Sequence, residues 1–566
     1  MPMLPWGEWR PDTSDYEGST AHNIENVLPR GDGYGPFRDY SAFTQALHAV
    51  CRGGFYALKS DGSVAVFAGT SDRIYLLNNT DYSWKPVSKV ATLTSISNGS
   101  PGVLTRTAHG YAVNDPVVLS TSGALPTGLV VGTVYYVQSV PTADTFTVSA
   151  TVGGAAINTS SAGSGTHSVT GIYSALTASA QWKFAQFNNF VIAVQANSVP
   201  QVYDLSSSTA FADLAGSPPQ AAYVDIVGRF VVLSGLLSNP YRIQWSGLNA
   251  TTTWTSGVNS SDFQDLPDGG IVRGVAGGEF GTIFQDQAIR RMSYLPGSPL
   301  IFQIERVSQD KGLYAPYSII RAGEVVYFYA GQGFHKIAPG GLPEQIGRER
   351  VDRMFGDDLD KANLQLFIGA ADPRTSRVYW AYKSVNGDTG LYDKIIGYDS
   401  TLDRWFTISM SGEYLLGLSQ TGLTLESLDA ISSSIDALTL TLDGYAAAVQ
   451  PEISQFNSLH KLGSFRGSFL EANLESAEQG TDGQRIFVRG FRPVTDAPTV
   501  YGALTYRNII DADPAVTAEM AKNTRTGRCD IRKATRYTRY RNRIPAGTVW
   551  TFTAGIEPDV TTEGTQ

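Results

Sequence analysis

The sequence predicts a mainly β protein organised around a β-propeller, and three observations point there. Gly (58), Tyr (28) and Phe (25) are plentiful while charged residues make up only 17% of the 566-residue chain, against about a quarter in ordinary soluble domains. Aromatic and β-branched side chains suit a pleated surface, and Gly supplies the turns between short strands. From about residue 40 to 416, apolar runs, turns and further runs recur in loosely repeated units of roughly 40 residues, the texture of four-stranded blades packed around an axis. A stack of β-sandwiches is the competing architecture.

Taken in chain order, residues 1–39 read as an extended N-terminal arm, with Pro and Gly concentrated in Val27-Leu28-Pro29-Arg30 and Gly33-Tyr34-Gly35-Pro36. The propeller is assigned to 40–94 and 171–416, with about six blades. The first unit holds Gly54 to Leu58, a Ser60-Asp61-Gly62 hairpin turn, Val64 to Thr70 and Arg73 to Leu77, ending near Trp84. The second runs from Trp182 through Phe190–Val194 to Leu205, and the third from Arg229 through Tyr241–Ser246 to Trp254. The fourth carries Gly281–Phe284 and Ala288–Met292, the fifth Glu324–Tyr329 and Phe334–Ile337, and the sixth Arg377–Tyr382, Lys394–Asp399 and Trp405.

Between the first two units, residues 95–170 change in texture: Thr, Ser, Gly, Val and Ala dominate and charge nearly vanishes. Period-2 alternation in Thr133–Val137 and Thr145–Val148, bounded by Gly and Pro, predicts a small inserted Ig-like β domain. Val351, Met354, Phe355 and Leu359 are spaced as a short helix interrupted by Gly356. Residues 417–566 form a C-terminal β platform, sandwich or barrel-like, whose expected strands include Ile435 to Leu442, Gln484 to Arg489 and Thr548 to Phe552.

Little in this chain asks for chemistry. The six histidines (His22, His48, His109, His167, His335, His460) lie singly, and neither Cys51 nor Cys529 neighbours a second ligand. No nucleophile elbow, phosphate loop or dinucleotide fingerprint appears. No catalytic residue, metal or cofactor is therefore expected. Asp357, Asp358 and Asp360 read as a solvated helix start, suited to the positive end of its dipole, and Asp262 to Gly269 as a loop between blades. Two cysteines in so long a chain make no disulfide framework, and free buried thiols are expected. No signal peptide and no membrane-spanning segment is expected.

A net charge of −9 excludes a molecule that clamps nucleic acid over its whole surface. The strongest local charge runs against that sign. Arg532, Lys533, Arg536, Arg539, Arg541 and Arg543, preceded by Arg525 and Arg528, interleave with Tyr537 and Tyr540. Alternation at Arg539-Tyr540-Arg541 suits a strand with one cationic face. Such a face serves a subunit interface, a DNA-lined channel or plain solvation.

Several segments resemble the tail nozzle (hub) or phage stabilisation proteins of short-tailed bacteriophages (podoviruses). They are the Pro/Gly-rich opening at 26–36, Phe67-Ala68-Gly69-Thr70 with Arg73-Ile74-Tyr75 before Trp84, Tyr241 to Ser246 before Trp254, and the ending from Arg536 through Ile544-Pro545-Ala546-Gly547 to Trp550. The region around Thr107 to Tyr111 is similar to an add-on domain of phage structural proteins. The resemblance implies a non-enzymatic virion protein, assembled in the host cytoplasm as a homohexameric ring. That ring would continue the DNA-ejection channel below portal-adaptor proteins, dock tail fibres or tip proteins, and touch the passing genome only transiently and without sequence preference. Closing a ring needs two unlike faces per subunit, and the N-terminal arm is the expected bridge between neighbours. The alternatives are a carbohydrate-binding or carbohydrate-cleaving propeller used in host recognition, and a surface adhesin. Against the former, the repeated Ser-x-Asp-x-Gly-x-x-Trp turns of sialidase propellers have no convincing copy here.

Overall fold

A computed structural model describes residues 3–563 apart from 15, 17–18, 299, 419–433, 435–450 and 481–483. The strand expected over Ile435 to Leu442 lies outside the described residues.

The described chain is almost entirely β, and its centre is a propeller. Four-stranded antiparallel sheets form in order: blade 1 over Gly54–Leu58, Val64–Gly69, Ile74–Leu77 and Trp84–Pro86; blade 2 from Lys183–Phe187 to Ala212–Asp213; blade 3 from Ala221–Val227 to Asp262–Asp265. Blade 4 runs from Val272–Ala276 to Phe302–Ser308, blade 5 from Ile320–Ala322 to Glu344–Gln345, and blade 6 from Ile368–Ala371 to Arg404–Gly412. The first turn is built as its sequence demands, with Asp61 accepting the Ser63 N–H and Gly62 at φ +83. Asp262–Asp265, expected as a loop, is instead the outer strand of blade 3, paired with Arg242–Trp245; its acidic ends suit an exposed edge.

Among the described residues the blades number seven rather than six. Tyr414–Leu418, Glu452–Phe456 and Lys461–Ser464 form three strands, and Ser41–Ala46 adds the fourth by pairing with Lys461–Ser464. The boundary expected at 416 therefore falls inside a blade. First strands lie side by side from blade 1 to blade 4, and again from blade 5 through blade 7 back to blade 1. Blades 4 and 5 share the apolar core of Phe284, Ile289, Phe328 and Ile337, so the ring is closed.

The arm expected at 1–39 is no arm. Trp6, Trp9, Ile24, Val27 and Tyr34 are all buried in the largest core of the molecule. The Trp6 indole donates to Thr553 at 2.9 Å, and the Tyr34 hydroxyl to the Gly7 carbonyl at 2.8 Å. The misreading has a physical cause: these strands are two to four residues long, too short for period-2 alternation to register.

The C-terminal body is a pair of facing sheets. One runs Cys529–Thr535, Arg485–Thr495, Thr553–Glu563, Gly33–Pro36, Val27–Arg30, with Leu4–Pro5 also on Thr553–Glu563. The other continues blade 6: Arg404–Gly412 pairs with Asn23–Glu25, then come Ala472–Glu475, Tyr537–Ile544 and Tyr501–Arg507. Phe491, Leu504, Cys529, Tyr540 and Ile556 pack in the core that these sheets enclose. Asn26 joins blade to platform, its amide donating to the Glu471 carbonyl at 2.9 Å and accepting the Ser409 N–H at 2.8 Å.

Residues 90–170 leave after blade 1 and return before blade 2 as a seven-stranded antiparallel sheet around a core of its own, with Val117, Leu119, Val137, Phe146 and Val169. The short helix is Asp352–Asp358, with Gly356 inside it. The carboxylates expected at its start stand at its end: the Tyr382 hydroxyl donates to Asp358 at 2.9 Å, and Lys383 lies 2.9 Å from Asp360. The start is served by Asp12, whose carboxylate accepts the Arg353 and Met354 N–H groups at 2.8 Å each.

Candidate functional site

The six basic residues singled out in the sequence do not form one surface. Arg532 is exposed at a bulge with φ +56, and the Lys533 ammonium lies 4.0 Å from the centre of the Tyr506 ring. Arg536 is half-buried at the bend between two strands. Arg539, Arg541 and Arg543 do share a face of Tyr537–Ile544, and carboxylates of the same chain meet them there. Arg539 lies 4.0 Å from Glu478 and Arg541 3.7 Å from Glu475, while Arg543 contacts Glu471 at 3.0 Å and Glu519 at 2.6 Å. The Arg543 guanidinium, bonded to Glu519, holds that carboxyl below its usual range. The alternation was legible in sequence; the glutamates that neutralise it were not.

The axis of the propeller holds a second constellation, contributed by the first strands of blades 2 and 3 and by the turn Pro316–Ser318 ahead of blade 5. Lys183 of blade 2 lies over the Tyr317 ring at 5.0 Å, and burial lowers its ammonium to about 8 against the attraction of Asp225 in blade 3. Asp225 accepts the Ile226 and Gly277 N–H groups at 2.7 and 2.8 Å. Burial nevertheless raises its carboxyl above the usual range, against those bonds and the charges of Arg321 and Lys183. The axis is thus occupied by side chains.

At the end where the first strands begin, the axis opens into a cavity of about 640 Å³. Tyr223, Tyr314 and Tyr317 supply its aromatic wall, and Arg273, Asp286 and Gln365 polar groups. Arg273 bonds Asp286 at 2.6 Å, and the same carboxylate accepts the Ile271 N–H at 2.9 Å, so its position is fixed. A neighbouring hollow of about 480 Å³, sharing Lys361, lies over the helix start and is lined by Asp352 and Tyr329. No sequence motif marked either: the first is walled by turns of several blades, the second by blade 5, the helix after it and Asp12.

Asp352 accepts the Phe334 N–H at 3.0 Å and the Gln345 amide at 2.9 Å. Burial, with the nearby Asp12 charge, outweighs those bonds and lifts its carboxyl to about 6, from 3.8. The folded state then binds more protons than the unfolded one between these values, so stability falls as pH rises through that window. Asp352→Asn is expected to flatten the change, because the asparagine takes up and releases no proton in that window. Urea titrations of both proteins at pH 4.5 and 7 check this.

Among the described residues no group of three His, Cys, Asp or Glu side chains stands where it would hold a metal ion. Cys51 and Cys529 are buried and free; burial pushes the first thiol well up and the second to about 11.

No family model matches the chain, and no curated protein does. Solved structures are similar in fold. The computationally designed Ika8 protein aligns over 74% of this chain and 97% of its own, at 10% identity and TM-score 0.32. The β-propeller domain of Myceliophteria thermophila Cps50 (Swd1) aligns over 60% and 96%, at 8% identity and TM-score 0.27. The phage phi92 endosialidase aligns over 58% and 62%, at 13% identity and TM-score 0.19. Likenesses this distant carry no chemistry to this chain, whose fold is read from its own sheets.

Proposed function

We propose that this chain is a structural, non-enzymatic ring subunit of a short phage tail, the nozzle or hub that its sequence resembles. The observation that carries the reading is the unbroken sheet from blade 6 through Asn23–Glu25 into the platform. A conduit subunit must keep its shape while a stiff, charged polymer is driven past it. Backbone hydrogen bonds across that junction resist shear in a way that a flexible linker between domains does not. The propeller hole itself is not the conduit in this account. Lys183, Asp225 and Tyr317 occupy it, and a duplex whose major groove alone is about 12 Å wide does not pass. The channel would lie between copies, a homohexamer whose subunits each offer two unlike faces. Adaptor proteins would seat on one end, with fibres or tip proteins outside. A net charge of −9 suits a lumen that lets DNA slide rather than stick. Antibodies against residues 90–170, gold-labelled on intact particles, test the placement: label at the tail tip supports it, and label on the capsid alone overturns it.

A further inference from the structure

We infer that the cavity at the mouth of the propeller axis is a binding site for neutral oligosaccharides, with Tyr314 as its stacking platform. The ring of Tyr314 is exposed on one side and supported on the other. Beneath it lies Gly331, where an added Cβ would come within 3.2 Å of the ring and where φ is +75. Glycine is the residue that fits both constraints. The Tyr329 ring meets Tyr314 edge-on at 6.1 Å, and the Tyr314 N–H donates to the Tyr329 carbonyl at 3.0 Å, so the platform is held at edge and backbone. A tyrosine that is 40% exposed yet fixed in place costs little entropy to use.

The groups around it decide the ligand class. Asp286 is held by Arg273 and the Ile271 N–H, and Gln287 beside it is exposed. Together with Gln365 across the cavity they offer donors and acceptors in one small space, as the paired hydroxyls of a sugar require. Phosphate or nucleotide ligands would meet a single cation, Lys361 on the side shared with the neighbouring hollow, because Arg273 is already neutralised by Asp286, and one exposed ammonium is a weak hold on a dianion. A purely apolar ligand would leave the Asp286 carboxylate desolvated and without new partners. The volume of about 640 Å³ falls within the range of about 300–1,000 Å³ usual for small-molecule pockets. A sugar chain, with apolar ring faces and polar rims, satisfies all of these at once. The site lies within one subunit, so it stands or falls independently of ring assembly.

The test uses the purified full chain with three probes: maltotetraose, chitotetraose and tetragalacturonate. Saturation-transfer NMR is expected to show at least one of the two neutral tetramers bound, and the acidic one more weakly. Tyr314→Ala should weaken that binding about threefold to tenfold, while Tyr314→Phe retains it, since the stacking face is kept. An unchanged melting temperature in both variants shows that the fold is intact, and Gln287→Ala, on an exposed side chain, gives a second reading of the same cavity. Silence from both neutral probes, preference for the acidic one, or binding indifferent to both Tyr314→Ala and Gln287→Ala would overturn the assignment.

Discussion

A chain beginning at residue 47 is expected to be insoluble or to melt without a cooperative transition. Its loss removes the fourth strand of blade 7, Ser41–Ala46, and with it the pairing that clasps the chain leading into blade 1 onto the last blade. It also removes Asn23–Glu25, the strand that joins blade 6 to the platform, and the buried side chains Trp6, Trp9, Ile24, Val27 and Tyr34. At roughly 1.5–3 kcal/mol for each large side chain buried, five of them approach the whole net stability of about 5–15 kcal/mol typical of a domain. Circular dichroism and calorimetry of residues 47–566 decide the matter. A cooperative transition near that of the full chain would show that the segment is peripheral, as an inter-subunit arm would be. The contrast matters for mechanism, because a segment woven into its own fold cannot also be the strap that reaches a neighbour.

Arg73→Ala is expected to release residues 90–170 from the propeller while leaving both bodies folded. Arg73, in blade 1, lies 2.5 Å from Asp115 of the insertion, and His48 bonds the other carboxylate oxygen at 3.1 Å. Both side chains of the Arg73–Asp115 pair are only 7% exposed. Removing the guanidinium leaves the buried Asp115 carboxylate with only the His48 bond and the Ala112 N–H, at a cost of up to about 3–5 kcal/mol. Because the insertion has its own core, that cost should appear as undocking: a second thermal transition, and new trypsin cleavage at Lys89 in the outgoing crossing. Burial alone would raise the Asp115 carboxyl, but the His48 bond, the Arg73 charge and the Ala112 N–H together bring it below its usual range. The contribution is therefore present above the unfolded value near 3.8 and fades only as pH falls through the lower folded one, so docking should hold at pH 5. The double variant Arg73→Met, Asp115→Leu should recover much of the loss, since an apolar pair of similar size removes both charges. A single transition in Arg73→Ala, at the parent temperature, would contradict this account.

What the sequence made legible follows from how local each feature is. Blades 1 to 6 each draw four strands from one stretch of chain, so alternation and turn residues such as Ser60-Asp61-Gly62 expose them. Blade 7 draws on 41–46, 414–418 and 452–464, and no window along the chain contains it. The N-terminal strands hide for a second reason: Pro29 and Pro36 mark them as irregular although Pro29 sits in the edge strand Val27–Arg30 and Pro36 at the end of its neighbour, places where a missing N–H is tolerated. The cationic alternation of Arg539, Arg541 and Arg543 was visible, whereas its partners Glu471, Glu475 and Glu478 arrive from another strand and the residues flanking it, and Glu519 from a separate segment. The axial cavity was invisible, because Tyr314, Asp286 and Gln365 meet only once the ring has closed.

The central claim, a ring subunit of a short phage tail, is tested most directly by counting. Quantitative mass spectrometry of purified particles from the proposed phage source, referenced to the twelve-copy portal that the resemblance implies, gives its copy number. The account predicts roughly half the portal's abundance, one homohexameric ring per particle. Absence from the particle, or a count far above the portal's, would contradict it.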